Sequence, residues 1–265
     1  MREVTLISND KLSIVKIDNG ELVSYIKNDE ELIHQKGNPG WRNSDTEMFP
    51  IIGPTEFNNF IVSTPKGDCI QDQHGVLREL NYTLINSSFN TAVYQKKYIA
   101  NTEVKNTKFP EKSPKEIVFW PYGFTFIKKY ELTNTSLKII FEIEADKGMP
   151  YMLGYHPAFM LQGSFNEIVS SKKQSITIPK IIEGGNTALP VLNVNEVLLI
   201  KKIGLNISIK TLGFKHFMLW TEVSNMLCIE PITAYPYTED GFLSKKLFNE
   251  SNGLDTFSLE IEPFN

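Results

Sequence analysis

The sequence has few of the residues that staple small proteins or bind metals: two cysteines and four histidines among 265 residues. Cys69 and Cys228 lie far apart and form no CxxC pair, so we expect two reduced, partly buried thiols rather than a disulfide. No HxH or HExxH arrangement is present. A set of His74 and His156 with carboxylates lacks the spacing of a metal site, and we predict no metal and no cofactor.

Long apolar runs and long runs of one charge are also absent. No stretch approaches the ~18 consecutive apolar residues that span a bilayer. The first residues, MREVTLISNDKLSIVKI, show neither the apolar core nor the cleavage site of a secretory signal, which predicts a cytoplasmic location. A formal net charge of −4 argues against nucleic-acid and anionic-membrane partners. The sequence also lacks a GxGxxG after a strand, a P-loop and a GxSxG motif.

The dominant pattern is strand alternation. In 137–145, apolar residues on one face alternate with mostly charged residues on the other, the period of a half-buried strand. Residues 122–146 are predicted to form a hairpin. Further strands are predicted at 11–18, 21–27, 91–99, 174–179, 206–211, 214–221, 226–230 and 256–262. Many short strands without a linker predict one all-β domain spanning 1–265, either a sandwich or a barrel.

Two less regular regions, 38–81 and 146–160, are rich in proline, glycine and aromatic residues, which is typical of functional loops. The first contains His74, followed by glycine and flanked by the polar residues Gln73 and Arg78. A surface-loop histidine is at least as common in such a setting as a catalytic one, so this segment alone does not decide the role of His74.

The second region contains His156, with Tyr155 before it and Pro157 after it. The proline restrains the backbone where the imidazole projects. A restrained imidazole is a suitable general acid because its ordinary pKa lies close to neutral pH. On this segment alone, a hydrogen-bonded core histidine is the more common outcome.

Glu230 is an unusual carboxylate because strand alternation places it on the same face as Met226 and Cys228. We expect Pro231 to end the regular ladder and to leave Glu230 at the mouth of the strand. Charged residues are rarely buried without a partner or a function. His216 alternates with apolar residues and is expected to be a packing residue only, and His34 has a similarly weak claim.

Three segments, in this order, resemble the aldose 1-epimerase superfamily, especially its bacterial branch of hexose and hexose-phosphate mutarotase-like proteins. They are Met48-Phe49-Pro50-Ile51-Ile52-Gly53 followed by His74-Gly75, then Gly154-Tyr155-His156-Pro157-Ala158-Phe159, then Cys228-Ile229-Glu230-Pro231. The start of the central hairpin, Trp120-Pro121-Tyr122-Gly123-Phe124, also resembles the family pattern. The likeness covers nearly the whole chain.

The resemblance implies a large twisted β-sandwich, the galactose mutarotase-like supersandwich, with a sugar site on a concave sheet. It implies an aldose 1-epimerase that interconverts the α and β anomers of an aldohexose without a cofactor. Glu230 then resembles the catalytic base, His156 the catalytic acid and His74 the second active-site histidine. If Glu230 and His156 lie within a few ångströms, we expect the carboxylate to favour the protonated imidazole.

The sequence departs from this pattern at Pro54, where many relatives carry a substrate-binding arginine. The substitution weakens the case for a phosphorylated sugar, and Arg42 and Arg78 are the candidate replacements for the missing cation. No clear equivalent exists for the substrate-binding aspartate of some mutarotases, and the segment 183–200 offers Glu183 and Glu196 instead. The predicted substrate-binding residues are Gln73, Arg78, Tyr155, Trp220 and Arg42, and Trp41, Trp120 and Tyr122 are further aromatic residues able to stack on a sugar.

Two alternatives to the enzyme stay open at this point. One is a sugar-binding or regulatory protein that kept the cleft without turnover, which the loss of the arginine at Pro54 favours. The other is an accessory module of a polysaccharide-degrading system, which the absence of a second domain and of a signal peptide disfavours. In each case the expected partner is a small-molecule sugar, and we expect a monomer or a weak homodimer.

Overall fold

The structure, a computed structural model, describes residues 3–163, 165–237, 241 and 243–265. Strands dominate it, and its helices are the short α1 (Ile178–Ile182) and the 3-10 turns Glu56–Asn58, Val76–Glu79 and Lys245–Leu247. None of the helices in these ranges is long and apolar enough to cross a membrane. The strands are β1 Glu3–Ile7, β2 Ser13–Asp18, β3 Glu21–Lys27, β4 Glu30–Glu31, β5 Glu47–Met48, β6 Ile61–Thr64, β7 Gly67–Ile70, β8 Thr83–Ser87, β9 Thr91–Tyr98, β10 Val104–Lys105, β11 Ile117–Val118, β12 Phe124–Leu132, β13 Leu137–Ala145, β14 Pro150–Tyr151, β15 Gly154–Tyr155, β16 Ala158–Met160, β17 Ile168–Ser170, β18 Ser175–Thr177, β19 Leu189–Leu192, β20 Glu196–Ile200, β21 Asn206–Leu212, β22 His216–Trp220, β23 Met226–Ile232, β24 Asn249–Glu250 and β25 Leu254–Phe264.

Two large antiparallel sheets form the two layers. The first has nine strands in the order β18-β17-β20-β21-β25-β13-β12-β9-β8, and the second has the order β19-β22-β23-β15-β5 with β16 also paired to β23. A four-stranded sheet, β1-β2-β3-β4, and three two-stranded ribbons complete the fold. The architecture is a large β-sandwich, which confirms the predicted fold class.

The two layers meet through aromatic side chains. Phe141 of β13 lies with its ring centroid 5.1 Å from that of Tyr155 on β15 and 6.2 Å from that of Phe214. On β23 the side chains of Leu227 and Ile229 point into the same core. Because side chains alternate along a strand, the residues between them face away from the large sheet. That second face carries the candidate site.

The hairpin predicted at 122–146 is confirmed, with Phe124 paired to Ala145 and Leu132 paired to Leu137. The prediction at 174–179 is half correct: β18 ends at Thr177, which caps α1 by accepting a hydrogen bond from the Lys180 amide. The other predicted strands are found within a few residues of their expected bounds.

The expectation that Pro231 ends the ladder is wrong. β23 continues to Ile232, and Pro231 pairs with Phe217 of β22. On its other side β23 meets β15 at Ile232 and β16 only at 226–228. The missing proline N–H therefore faces an interruption between β15 and β16, where no ladder donor is needed.

Candidate active site

His74 lies in a loop that is hydrogen-bonded to the Phe-Pro-x-x-Gly segment, residues 49–53. Its amide donates to Ile52 O at 2.9 Å, and its carbonyl accepts from the Phe49 amide at 3.1 Å. His74 has a φ of 77° and Gly75 a φ of 71°. A Cβ on Gly75 would lie 2.3 Å from Phe49 O, so only glycine fits there. The pairing of these two sequence segments thus fixes the position of the His74 ring.

His156 sits in the interruption between β15 and β16. Its amide donates to Thr46 O at 2.8 Å, and the Ile229 amide donates to Pro157 O at 3.3 Å, so the segment is held from both sides. Tyr155 points into the core, and by alternation His156 points to the opposite face. The ring of Trp41 covers His156 with centroids 4.3 Å apart.

Glu230 lies on the neighbouring strand β23, opposite Met218 of β22. The side chains of Glu230 and His156 are nearly inaccessible, at 2% and 7% exposed, and Glu230 Oε1 lies 3.3 Å from His156 Nε2. The edge of the His74 ring faces His156, with centroids 5.5 Å apart. The three residues singled out as candidate catalytic groups are therefore brought together.

Burial sets the protonation of this pair. Desolvation raises the pKa of the Glu230 carboxyl well above its ordinary value. Burial, followed by the positive charge of Arg78, lowers the pKa of His156 to about 3. Both shifts favour the uncharged forms, a neutral imidazole and a protonated carboxyl. These directions run against the expectation that Glu230 favours a protonated His156, because desolvation of both groups opposes their mutual attraction.

These residues form part of the floor of a cavity of about 700 Å³. Gln73 and Trp220, two of the predicted substrate-binding residues, also line this cavity. Its other lining residues are Trp41, Ile52, Gly53, Pro54, Glu56, Phe57, Lys112, Asn186, Thr187, Ala188, Met218, Pro236, Tyr237 and Gly241. The strands supply the floor, whereas loops before Phe60, around Asn186 and after Ile232 supply most of the rim.

Tyr155 does not belong to this cavity, which corrects its assignment as a substrate-binding residue. Its side chain is fully buried on the core face, and its hydroxyl donates to Asp45 Oδ2 at 2.6 Å. The reason is strand alternation: a residue next to His156 must point to the other side of the sheet.

Arg42 and Arg78 line a second cavity of about 630 Å³ instead, which corrects the prediction that they contact the substrate. Arg42 follows Trp41, whose ring faces His156, so the two side chains diverge. Arg78 approaches His74 from behind, with Nη1 3.0 Å from His74 Nδ1. Neither guanidinium replaces the arginine missing at Pro54.

A buried charge cluster lies beneath this second cavity and was not predicted. Lys128 is fully buried, with Nζ 2.7 Å from Asp45 Oδ2 and 2.6 Å from Glu47 Oε1. Lys96 Nζ lies 3.7 Å from Glu47 Oε2. The sequence did carry a signal for it, since Lys128 interrupts the apolar face of β12 between Phe126 and Tyr130.

Among the residues that the structure describes, His156, Cys228 and Glu230 form a set that could hold a metal ion, with ligand atoms all within 4.8 Å of one another. Zinc accepts all three ligand types. Burial raises the pKa of the Cys228 thiol well above its ordinary value, so a metal would have to displace its proton. His74, which the sequence paired with His156 as a metal set, does not belong to this group.

Some residues of the cavity were missed or undervalued by sequence reasoning. Trp41 is held by buried His34, whose Nε2 donates to the Trp41 carbonyl at 2.8 Å. Asn186 is the polar contribution of the 183–200 segment, where Glu183 and Glu196 had been considered. His216 accepts a hydrogen bond from the Asn193 amide and does not line the cavity, as expected for a packing residue.

Two solved structures share this fold. A galactose mutarotase related enzyme from Lactobacillus acidophilus superposes with a TM-score of 0.74 at 18% identity, covering 100% of this chain and 98% of that one. A galactose mutarotase-like protein from Lactobacillus casei gives a TM-score of 0.79 at 15% identity, covering 99% of this chain and 100% of that one. The architecture is thus the galactose mutarotase-like sandwich.

The family model for aldose 1-epimerase matches residues 56–203. The chain belongs to the aldose 1-epimerase family. The chromosomal LacX protein of Lactococcus lactis subsp. lactis is 26% identical over 189 residues, a match that covers 66% of this chain. The chain spans 58% of the length of the LacX proteins that it matches.

Proposed function

We propose that the protein is an aldose 1-epimerase that interconverts the α and β anomers of an aldohexose. Glu230 is the base, His156 the acid, and His74 a hydrogen-bonding partner of the sugar. The observation that carries the proposal is the buried pair of His156 Nε2 and Glu230 Oε1, 3.3 Å apart at the floor of a cavity large enough for a sugar. One proton donor and one acceptor are the groups that opening a hemiacetal ring requires.

The reaction needs no group beyond this pair. Glu230 removes the proton of the C1 hydroxyl while His156 donates a proton to the ring oxygen, and the C1–O5 bond breaks to give the open-chain aldehyde. Rotation about C1–C2 presents the other face of the aldehyde. The steps then reverse: His156 takes back the proton from the C5 hydroxyl, and Glu230 returns its proton to O1.

The forms of the pair that burial favours match one stage of this cycle. A neutral imidazole beside a protonated carboxyl is the state reached once the ring has opened. From these forms, reaction of a cyclic sugar requires a proton to move from Glu230 to His156 on binding. Hydrogen bonds from sugar hydroxyls to the carboxylate favour that move, because they stabilise its charged form.

The cavity supports a neutral hexose as substrate. The aromatic rings of Trp41 and Trp220 line its wall, and Gln73 adds an amide. Aromatic rings and single polar groups are typical of sites for small polar ligands. Among the described residues that line the cavity, Lys112 is the one that is a lysine or an arginine, and its side chain is exposed. The proposed enzyme is one domain spanning 1–265, and its two buried free cysteines fit a reducing cytoplasm.

Polarimetry of freshly dissolved α-D-glucose and α-D-galactose tests the proposal. We expect the wild type to accelerate mutarotation and His156→Asn to lose about 10²–10⁴-fold of that acceleration, the range for a general acid. His216→Asn is the matched control and should keep wild-type activity. Full activity of His156→Asn contradicts the assigned acid. Sugar binding without acceleration of any hexose, deoxyhexose or hexose phosphate contradicts the enzyme and favours a sugar-binding protein.

A further inference from the structure

The contact between Arg78 and His74 defines where the His74 proton must be. Arg78 Nη1 lies 3.0 Å from His74 Nδ1. A guanidinium has five N–H donors and no acceptor, so the ring nitrogen that faces it must be the acceptor. Nδ1 therefore carries no proton, and the single proton of a neutral His74 sits on Nε2.

The fold fixes the guanidinium in this place. The 3-10 turn Val76–Glu79 brings residue 78 back towards residue 74. The Glu79 carboxylate lies 3.7 Å from Arg78 Nε, and the two side chains are only 4% and 14% exposed. Thr107 in turn donates to Glu79 from its amide at 3.3 Å and from its hydroxyl at 3.2 Å. Arg78 is thus held by an ion pair with Glu79, which Thr107 in turn anchors through hydrogen bonds.

We propose that Arg78 is a positioning residue that locks His74 as the Nε2–H tautomer, so that His74 presents a permanent hydrogen-bond donor to the sugar cavity. The benefit of this tautomer to catalysis rests on the proposed function, whereas the assignment of the tautomer does not. In this arrangement His74 recognises an oxygen of the sugar that accepts a hydrogen bond, and it takes no part in proton transfer. Glu230 and His156 alone carry that step.

Arg78 also affects the charge of both imidazoles. After burial, its positive charge is the next largest cause that lowers the pKa of His74 and of His156. Loss of this charge raises both pKa values, because a nearby cation disfavours a second positive charge. The groups that face His74 are Arg78, His156 and Lys108, all of which oppose its protonation. A neutral His74 follows from the same contact that fixes its tautomer.

Nitrogen-15 NMR of histidine-labelled protein tests the tautomer directly. The chain has four histidines, so single His→Asn variants assign each ring. At pH 7 we expect one neutral His74 species with its proton on Nε2. In Arg78→Met we expect a mixture of the two tautomers and a higher His74 pKa, whereas Arg78→Lys, which keeps a donor and the charge, should restore much of the Nε2–H form. Arg42→Met, which removes a neighbouring charge without a bond to His74, is the control and should leave the tautomer unchanged.

The result that overturns the proposal needs no variant: an Nδ1–H or protonated His74 in the wild type at pH 7 contradicts it. An unchanged single tautomer in folded Arg78→Met also contradicts it. In the activity assay we expect Arg78→Met to lower kcat/KM about tenfold, the size of one lost hydrogen bond, and to move the acidic limb of the pH profile upward. If the wild type shows no mutarotation, the proposed function fails while the NMR experiment still decides the role of Arg78.

Discussion

Replacement of Glu230 by glutamine should separate activity from stability. Glutamine keeps the shape of the side chain and removes its ability to take a proton. We expect the catalytic acceleration to fall by about 10²–10⁴-fold, which corresponds to loss of a general base. The fold should survive, because Glu230 is only 1% exposed and burial favours its neutral form, which an uncharged amide imitates.

The direction of the Glu230 pKa shift determines how the stability of the two proteins should change with pH. Burial raises the pKa of Glu230 in the folded state above its value in the unfolded chain. Its contribution to stability is therefore fully present below the unfolded pKa and is lost as the pH rises through the folded pKa. Each tenfold difference in acidity between the two states corresponds to about 1.4 kcal/mol. As the pH rises, the free energy of unfolding of the wild type should therefore fall relative to that of Glu230→Gln.

Urea titrations of both proteins from pH 4 to pH 9, alongside polarimetry, measure the two effects. The exposed Glu222→Gln provides a matched control in which neither stability nor activity should change. A pH-independent difference in unfolding free energy would refute the raised pKa of Glu230. Mutarotation at the wild-type rate by Glu230→Gln would remove this residue from the mechanism.

Three further predictions concern the charge cluster, the acid limb and metals. Lys128→Met leaves Asp45 and Glu47 buried without their closest cation, and should lower the free energy of unfolding by about 3–5 kcal/mol in urea titrations; a change below about 1 kcal/mol would contradict this. The acidic limb of the kcat/KM profile should lie well below the ordinary pKa of histidine, because burial lowers the pKa of His156 to about 3, and a limb near pH 6.5 would contradict the buried pair. EDTA should leave the mutarotation rate unchanged; strong inhibition by the chelator would implicate a metal on His156, Cys228 and Glu230.

Strand alternation made much of the fold predictable. The apolar faces of 122–146 are buried as expected, since a period of two leaves few other ways to cover them. The same rule, applied strictly, would have excluded Tyr155 from the cavity, because it neighbours His156 along an extended segment. Lys128 was also within reach of sequence reasoning, as a charge in the apolar stripe of β12. Its partners were not, because Asp45 and Glu47 come from a distant, irregular segment.

The grouping of the candidate site residues was predictable from the sequence, whereas the direction of their pKa shifts was not. Glu230, His156 and His74 were identified by family resemblance, and the structure brings them together. Their burial depends on contacts among segments more than 70 residues apart in the sequence, which no local pattern encodes. The position of Arg42 and Arg78 in the second cavity could not be predicted either, because it depends on the direction in which each side chain leaves its loop.

The division of the cavity into a floor of strands and a rim of loops separates two kinds of change. The proton-transfer pair is anchored in hydrogen-bonded backbone, with Glu230 on β23 and His156 between β15 and β16. The rim around Pro54, Asn186 and Tyr237 comes from connecting segments, which tolerate substitution and insertion. Loop exchange at the rim is therefore a practical route to new sugar preferences, because the chemistry below would keep its geometry.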